Sequence, residues 1–522
     1  TAMDGVAATT PFLEFRLWWR RASPGKQAAA VCALATVLAL VVWIAVPLAG
    51  SGSSSNLNAG SNGRGFASGG QGSVSTASTA AGAGATTGTA AASAPAAAGS
   101  TGPAGGAAAG TGAAAGGGLP GTPGGALAGC SGTPKTMNVG VVLVDSGGLN
   151  SVVGAPSTSQ QQGMWNAMFD AINKSGGAAC NKIVPDFQVN NELNPSSAQN
   201  ACLSFIQHHD FAVLFGFLPQ SPDTCMLQAH IPVFEEIELS QADVQKYYPY
   251  YFSGDGALQV VYRNWAFASK QLNMFNPANG FKKLGIFYRD CQPEVNQAML
   301  ADLQAAGVSS SAIDRADLGC SSAFTPPSAI EQAVVKFKAD GVTTATIDND
   351  IIDMQNITKQ SQAQGFHPQW TIPDDGEVAV SGNPSFAPDP SNFNNALAIT
   401  PNQNGAETTP GFKEDPTTVQ CDQIMTSHGQ PGALASPDQF AGAVCDLAWM
   451  FVAAVNHAPT VAPDQLAAGL QRAGSVPFSF PYGPDSFAAP GTTWGGQFWR
   501  PLTYHSSCGC WQTDNPNFQP SF

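Results

Sequence analysis

The polar residues of this sequence that could do chemistry stand where short apolar runs end. Asp145 and Ser146 follow the run NVGVVLV, Arg289 follows KLGIFY, and Asp348 follows a run that ends at Ile347. Continuous apolar runs of this kind predict parallel strands that are buried on both faces, and open α/β sheets bind ligands beyond the carboxyl ends of such strands. The pattern therefore predicts binding by hydrogen bonds and charge in a cleft.

The predicted ligand-binding residues belong to two sides of that cleft. One side consists of Ser146, Phe217, Leu218, Gln220, Glu235 and Glu236, the other of Arg289, Asp348, Asp374 and Asp375, with Asp255 as a further strand-end residue. Arg289 is the one basic group among many acids, which favours a cationic, amide-bearing or polyhydroxylated solute over a simple anion. The alternative is that each residue is an ordinary helix N-cap or turn residue in an acidic domain.

Familiar catalytic and cofactor motifs do not occur in the part of the sequence that is predicted to fold. It has no GxSxG elbow, no Walker A motif and no HExxH motif. The adjacent His208 and His209 end a predicted helix, where a C-cap role is favoured over metal binding. For the C-terminal aromatics Trp494, Phe498, Trp499 and Trp511, packing is favoured over a sugar-stacking platform. We therefore expect no enzymatic activity, no metal and no cofactor.

Two successive rounds of strand and helix patterns begin near residue 138. Strands are predicted at 138–144, 187–189, 211–217 and 231–237, and then, after Tyr251-Phe252-Ser253, at 283–288, near Ala312, and at 342–347, 369–372 and 396–399. Helical spacing separates most of them. This alternation predicts an α/β fold with two Rossmann-like lobes, each built on a parallel sheet, and a ligand cleft between the lobes.

Several stretches carry a resemblance to a known family. The opening VGVVLVDSGG leads to a helix that ends INKSGG, KYYPYYFSGDGALQ follows, and KKLGIFYRD, KFKADGVTTATID and IIDMQNITKQSQAQGFHPQW come later. In this order they resemble the type I periplasmic binding proteins, specifically the leucine/isoleucine/valine-binding branch, from about Asn138 to Trp511. The resemblance implies a two-lobed fold, closure on a small solute, and delivery of that solute to an ABC transporter permease.

The sequence departs from that branch where the ligand is expected. Amino-acid binders of the branch hold the substrate carboxylate with a Ser/Ala/Thr-type loop, whereas the matching stretch here is FEEIE, from Phe234 to Glu238. The second-lobe acid that meets the substrate ammonium has a counterpart in Asp374 or Asp375. The resemblance thus implies recognition of an ammonium-like group, while the acidic loop argues against recognition of a carboxylate.

An apolar run at residues 27–49 predicts a transmembrane signal-anchor helix. Arg16, Arg20, Arg21 and Lys26 precede it and no positive charge follows until Arg64, so the positive-inside rule predicts a cytoplasmic segment at 1–26 and export of the rest. The expected localisation is the cell membrane, with a single pass. A cleaved signal peptide, with a cleavage site around Pro47 to Gly50, is the alternative.

The region between the apolar run and the predicted lobes is rich in Gly, Ala and Ser. Residues 50–130 contain too little apolar surface to fold and predict a disordered tether, with a root-mean-square span of roughly 50 Å. Residues 131–522 are the predicted solute-binding domain. Its first lobe is expected at about 138–253 and its second at about 254–400, each with part of the C-terminal region.

Ten of the 11 cysteines lie in the part that is predicted to be exported, and an even number in an oxidising compartment indicates disulfides. The expected pairs, which neighbouring elements could bring together, are Cys202–Cys225, Cys291–Cys320, Cys130–Cys180 and Cys421–Cys445. The family resemblance also implies the first of them. The sequence suggests no partner for Cys508 or Cys510.

The predicted domain is strongly acidic. Beyond residue 130 there are 16 Lys and Arg against 34 Asp and Glu, a net charge of −18, which excludes binding to nucleic acid. A transport receptor that hands a small polar solute to a permease is the favoured function, and the sensory ectodomain of a membrane receptor is the alternative. The short segment before the apolar run and the flexible tether both favour transport.

Overall fold

The computed structural model describes residues 134–146, 155–191, 194–215, 223–235, 240–319, 325–348, 353–373, 376, 378, 381–383, 385–401, 405–433, 440–479, 486–513 and 515–522. All of them belong to one compact unit, Ala109–Phe522. The predicted membrane helix at 27–49 and the tether at 50–130 lie outside the described residues.

The first of two sheets contains five described strands in the order β2-β1-β3-β4-β5, all parallel. Its strands are β1 (Lys135–Asp145), β2 (Asn181–Asn191), β3 (Val213–Phe215), β4 (Val233–Glu235) and β5 (Tyr251–Ser253), and the helices between them are α1 (Thr158–Lys174), α2 (Pro195–His208), α3 (Asp223–Gln228) and α4 (Gln241–Tyr247). Along β1, Val141 faces one core cluster and Val142 another. Helices cover both faces, which explains the continuous apolar run.

Three helices from the C-terminal region complete this first lobe. They are α10 (Pro416–Ser427), α11 (Phe440–His457) and α12 (Leu466–Ala473), and their apolar residues join the core cluster of β1 and α1. Among the described helices, α11 alone is long and apolar enough to cross a membrane, with a mean hydropathy of 1.3. Because 89% of this 18-residue stretch is buried inside the fold, α11 is typical of a core helix.

The second sheet contains the remaining described strands, in the order β12-β11-β10-β9-β8-β6-β7, with β13 paired to β11. Its strands are β6 (Leu284–Tyr288), β7 (Ile313–Asp317), β8 (Thr344–Ile347), β9 (Gln369–Pro373), β10 (Leu397–Thr400), β11 (Phe498–His505), β12 (Cys510–Gln512) and β13 (Gln519–Pro520). Its helices are α5 (Leu258–Gln271), α6 (Pro293–Ala305), α7 (Pro327–Ala339), α8 (Met354–Ala363) and α9 (Pro390–Phe393).

The second sheet is mixed, which differs from the purely parallel sheet that the sequence predicts. Strands β6 to β10 pair in parallel, whereas β11 pairs antiparallel with β10, β12 and β13. The chain reaches β11 only after α10, α11 and α12, and a short turn instead of a crossover helix joins β11 to β12. Trp499 and Trp511 are buried in this region, as the packing interpretation of the C-terminal aromatics predicts.

Three disulfides join described cysteines. Cys202–Cys225 links α2 to α3 and Cys421–Cys445 links α10 to α11, as the sequence predicts, with Cα separations of 6.2 and 6.0 Å. Cys508 and Cys510, which had no expected partner, bond to each other across the β11–β12 turn. Cys180 and Cys291 are also disulfide-bonded. Their predicted partners, Cys130 and Cys320, lie outside the described residues.

Candidate functional site

At the carboxyl end of β1, a buried glutamine fixes the backbone before the predicted binding loop. Gln161 on α1 accepts a hydrogen bond from the Val144 amide at 2.8 Å and donates to the Val144 carbonyl at 2.8 Å. It also donates to the Pro156 carbonyl at 2.8 Å. These bonds hold Val144 in place near the end of β1, and Ser146, two residues later, is buried with 8% exposure.

The ends of β4 and β5 place an acid beside the crossing to the second lobe. Glu235 is the last residue of β4 and is 1% exposed, and in the parallel register it lies opposite Ser253. The Gly254 amide donates to the Glu235 carbonyl at 3.2 Å, and the Asp255 amide donates to the Ser253 hydroxyl at 3.1 Å. Two predicted site residues, Glu235 and Asp255, are thereby brought to one corner of the first sheet.

In the second lobe, Arg289 follows β6 and takes part in a buried network. Its guanidinium donates to the Asp353 carboxylate at 2.8 Å, to the Thr325 hydroxyl at 3.1 Å and to the Gly319 carbonyl at 3.1 Å. The two charged side chains are 11% and 0% exposed. These bonds give Arg289 a structural role in holding the loop after β7 against the start of α8. Its contact with a ligand stays a prediction.

Asp348 follows β8, the strand that neighbours β6. Its amide donates to the Phe287 carbonyl at 2.9 Å, which extends the β6–β8 ladder by one bond. The residue is 1% exposed, although it stands at the edge where the sheet ends. Asp348 and Arg289 are thus at adjacent strand ends, as the sequence predicts, while their contact with a solute remains to be tested.

The other predicted site residues lie outside the described residues and remain predictions. They are Phe217, Leu218, Gln220, Glu236, Asp374 and Asp375. In the sequence, all of them follow the described strands β3, β4 or β9.

Sequence reasoning missed two residues that shape this region. Gln161 lies in the first turn of α1, and nothing in the spacing of that helix distinguishes it from a solvated glutamine. Asp353 precedes α8 and resembles an ordinary helix-start acid, although it pairs with Arg289 across 64 residues of sequence. A signal did exist for the second residue, because an arginine that follows a buried strand needs a counterion nearby.

The chain passes between the two sheets three times, after β5, after β10 and before β11. The first and last crossings pair with each other. The Ser253 amide donates to the Thr493 carbonyl at 2.9 Å and the Gly495 amide donates to the Ser253 carbonyl at 3.1 Å. The hydrogen-bonded crossings lie beside Glu235 and Asp255, so the polar strand ends of the first lobe adjoin the connection to the second.

Solved structures of several bacterial binding proteins share this arrangement. A periplasmic binding protein type 1 from Bordetella pertussis Tohama I superposes with a TM-score of 0.54 at 14% identity, over 74% of this chain and 100% of that one. The branched-chain amino acid transporter substrate binding protein LivJ from Streptococcus pneumoniae, in complex with isoleucine, gives 0.53 at 15% identity over 74% and 100%. The leucine binding protein LivK from Thermotoga maritima gives 0.53 at 11% identity over 74% and 99%.

No protein-family profile and no curated protein sequence matches this chain. At these identities the solved structures show the fold alone. The chain has the two-lobed fold of the type I periplasmic binding proteins, which confirms the fold that the sequence motifs resemble.

Proposed function

We propose that this protein is an extracytoplasmic solute-binding protein that closes its two lobes on a small polar solute and delivers it to an ABC transporter. The observation that carries the proposal is the two-lobed fold with buried acids at the strand ends of both lobes, Glu235 in one and Asp348 in the other. LivJ and LivK share the fold; LivJ is a branched-chain amino acid transporter substrate binding protein, and LivK is a leucine binding protein. The role is binding rather than catalysis.

The solute class that we propose is an amino acid, an amide or another polar or cationic compound. Glu235 and Asp348 are both carboxyl groups, and the nearby Arg289 already binds the buried Asp353. Where acids outnumber free cations at a cleft, an ammonium or amide donor is favoured over an anionic ligand, because like charges repel in a site of low dielectric. The apolar core clusters that pack against these strands hold the polar strand ends in place.

We further propose that residues 27–49 anchor the protein to the cell membrane as a single pass and that residues 50–130 tether the binding domain outside the cytoplasm. The support is the sequence, with basic residues before the apolar run and a Gly/Ala/Ser-rich stretch after it. A ligand-sensing ectodomain is the alternative function. The disulfides of the described domain agree with either, since both place it in an oxidising compartment.

A thermal-shift screen of the full chain tests the proposal. The probes are amino acids, amides, polyamines, sugars and nucleosides, and a ligand at 100 times its Kd stabilises the fold by about 2.7 kcal/mol. For a compound that stabilises the fold in this screen, calorimetry should show that Glu235→Gln and Asp348→Asn each weaken binding roughly 10-fold or more. Hydrogen bonds to charged groups contribute about 1.5–3 kcal/mol.

The matched control is Glu331→Gln, which changes the same chemical group on the exposed surface of α7 and should leave affinity unchanged. Unaltered affinity in both cleft variants, with the fold intact, would mean that the acids are structural. Uptake of the identified compound by membrane vesicles that contain this protein and an ABC transporter permease distinguishes transport from sensing. A compound that binds but is never taken up would favour the sensory alternative.

A further inference from the structure

Three potential metal ligands meet on the first lobe, away from the strand ends that form the candidate cleft. Asp186 lies in the middle of β2, His208 is the last residue of α2, and Asp210 precedes β3. One ligand atom from each lies within 4.8 Å of the other two. The His208 Nδ1 atom is 2.6 Å from the Asp186 Oδ2 atom, and Gln188 donates to the other Asp186 oxygen at 2.8 Å.

Asp210 is the unusual member of this cluster. It is only 6% exposed, and neither of its carboxylate oxygens accepts a hydrogen bond from a donor group among the described residues. The backbone fixes its place, because the Asp210 amide donates to the Phe205 carbonyl at 3.1 Å and the Phe211 amide donates to the Asn138 carbonyl at 2.9 Å. His209 between them adopts a left-handed conformation, with φ 56°, which ends α2 and turns the chain inward.

A buried carboxylate without donors is costly, since desolvation of an unpaired charge is not compensated. Here a second carboxylate, Asp186, lies beside it, and His208 is the only described side chain that brings positive charge to the pair. Because the two carboxylates lie so close together and one of them is buried, they need a proton or a cation between them.

We propose that Asp186, His208 and Asp210 form a binding site for a divalent transition-metal ion, with zinc as its best representative. Two carboxylate oxygens and one imidazole nitrogen are a donor set that tetrahedral zinc accepts, and water from the exposed side of His208 completes the fourth position. In tetrahedral coordination with bonds of 2.0–2.1 Å, ligand atoms lie about 3.3 Å apart. The His208 Nδ1 and Asp186 Oδ2 atoms are 2.6 Å apart, closer than that value, so the half-exposed imidazole needs to retreat by less than about 1 Å.

The same donor set disfavours calcium and magnesium. Calcium takes six to eight oxygen ligands and magnesium prefers octahedral oxygen coordination, whereas this cluster supplies two carboxylates and a nitrogen. Only His208 and Asp186 reach the surface, with side-chain exposures of 54% and 21%, and they provide access for the ion. A bound ion would tie the edge strand β2 to the end of α2 and the start of β3.

Calorimetric titration of the full chain with Zn²⁺ at pH 7, after treatment with a chelator, tests the site. We expect one zinc per chain at this cluster, little competition from Mg²⁺ or Ca²⁺, and a loss of affinity of more than about 100-fold in Asp210→Asn, because removal of an outer-shell partner alone costs 10–100-fold. His208→Ala is a second variant on an exposed side chain, so it keeps the test valid if the buried substitution disturbs folding.

The control is His428→Ala, which removes a similar surface pair. The His428 imidazole lies 2.9 Å from the Asp170 carboxylate, which Lys174 also contacts. Among the described residues, no third potential metal ligand lies close to this pair. Zinc affinity should not change in this variant. If the unmodified chain binds zinc no better than Asp210→Asn and His208→Ala do, the metal site is refuted, and a proton shared by the two carboxylates accounts for the cluster.

Discussion

Removal of the Arg289 guanidinium should destabilise the second lobe far more than removal of a typical surface charge. In Arg289→Met the methionine retains much of the apolar volume, whereas Asp353 keeps its negative charge in a position with 0% side-chain exposure. The Asp353 Oδ2 atom would lose its bond from Arg289 and keep the bond from the Thr325 amide at 3.0 Å. The carboxylate would then lie buried from solvent without the guanidinium that compensates its charge.

The expected magnitude follows from this burial. Breaking a buried ion pair by removal of one partner costs about 3–5 kcal/mol, because the remaining charge is not compensated. An exposed pair contributes only about 0–1 kcal/mol. Lys336→Met provides the matched control in the same lobe, since Lys336 and Asp340 form an i,i+4 pair whose side chains are 49% and 39% exposed. Urea-induced unfolding of the full chain, followed by tryptophan fluorescence, measures both variants.

A second substitution separates charge from packing. In Arg289→Met combined with Asp353→Asn, the neutral amide no longer needs a cation, so at least half of the lost stability should return. The reasoning would be refuted if Arg289→Met lost no more stability than Lys336→Met. It would also fail if the double variant were as unstable as the single one, because the cost would then come from packing around Thr325.

Three further predictions concern other parts of the described domain. Cys202→Ala with Cys225→Ala should cost about 3.4 kcal/mol by the loop-entropy relation for a separation of 23 residues, measured by urea unfolding against the same protein with its disulfides intact. Burial raises the pKa of Glu407 above its value in the unfolded chain, so the charged carboxylate destabilises the fold at neutral pH. This cost falls as the pH falls and the carboxylate is protonated. Glu407→Gln should therefore raise the free energy of unfolding at pH 7, and by less at pH 4. Gly140→Ala should cost about 1–3 kcal/mol through overpacking, because a Cβ atom there would lie 2.7 Å from the Phe205 ring, whereas Gly382→Ala meets no atom within 4 Å and should show no such loss.

The elements with strong apolar patterns could be predicted from the sequence, and those held by tertiary contacts could not. The runs NVGVVLV and KLGIFY correspond to β1 and β6, because both are central strands that are covered on two faces. The prediction missed α10, although its buried Cys421, Ile424 and Met425 have helical spacing. The prediction also missed the short helix α4 and the three-residue strand β5, because so few residues show no clear hydrophobic periodicity.

The candidate site was only partly predictable, for a physical reason that Arg289 illustrates. A strand-end position can be inferred from the local pattern, and the structure places Arg289 and Asp348 at adjacent strand ends. Whether such a side chain faces a ligand or a neighbour depends on residues far away in sequence, here Asp353 and Thr325. The metal-ligand cluster also depends on residues that are separated in sequence, because β2, the end of α2 and the segment before β3 contribute one residue each.

Both lobes solve one packing problem in the same way, which argues for a common plan beneath their different sequences. In β1, Gly140 allows the Phe205 ring of α2 to approach the strand, and a Cβ atom there would lie 2.7 Å from that ring. In β6, Gly285 allows the same approach of Phe337 from α7, at 2.8 Å. An aromatic ring from a covering helix thus packs directly on the backbone of a central strand in each lobe.

This packing bears on the candidate site, because it fixes the strands whose ends carry the polar residues. Gly140 and Phe205 hold β1 before Ser146, and Gly285 and Phe337 hold β6 before Arg289. Relative motion of the two lobes must then occur in the crossings rather than within the sheets, since the packed strands cannot shift without opening voids. Ser253 lies in one crossing, bonds to another and neighbours Glu235 in the register of β4 and β5. A solute held by Glu235 would therefore act on the segment where the lobes are joined, so binding and closure would be coupled through the same few residues.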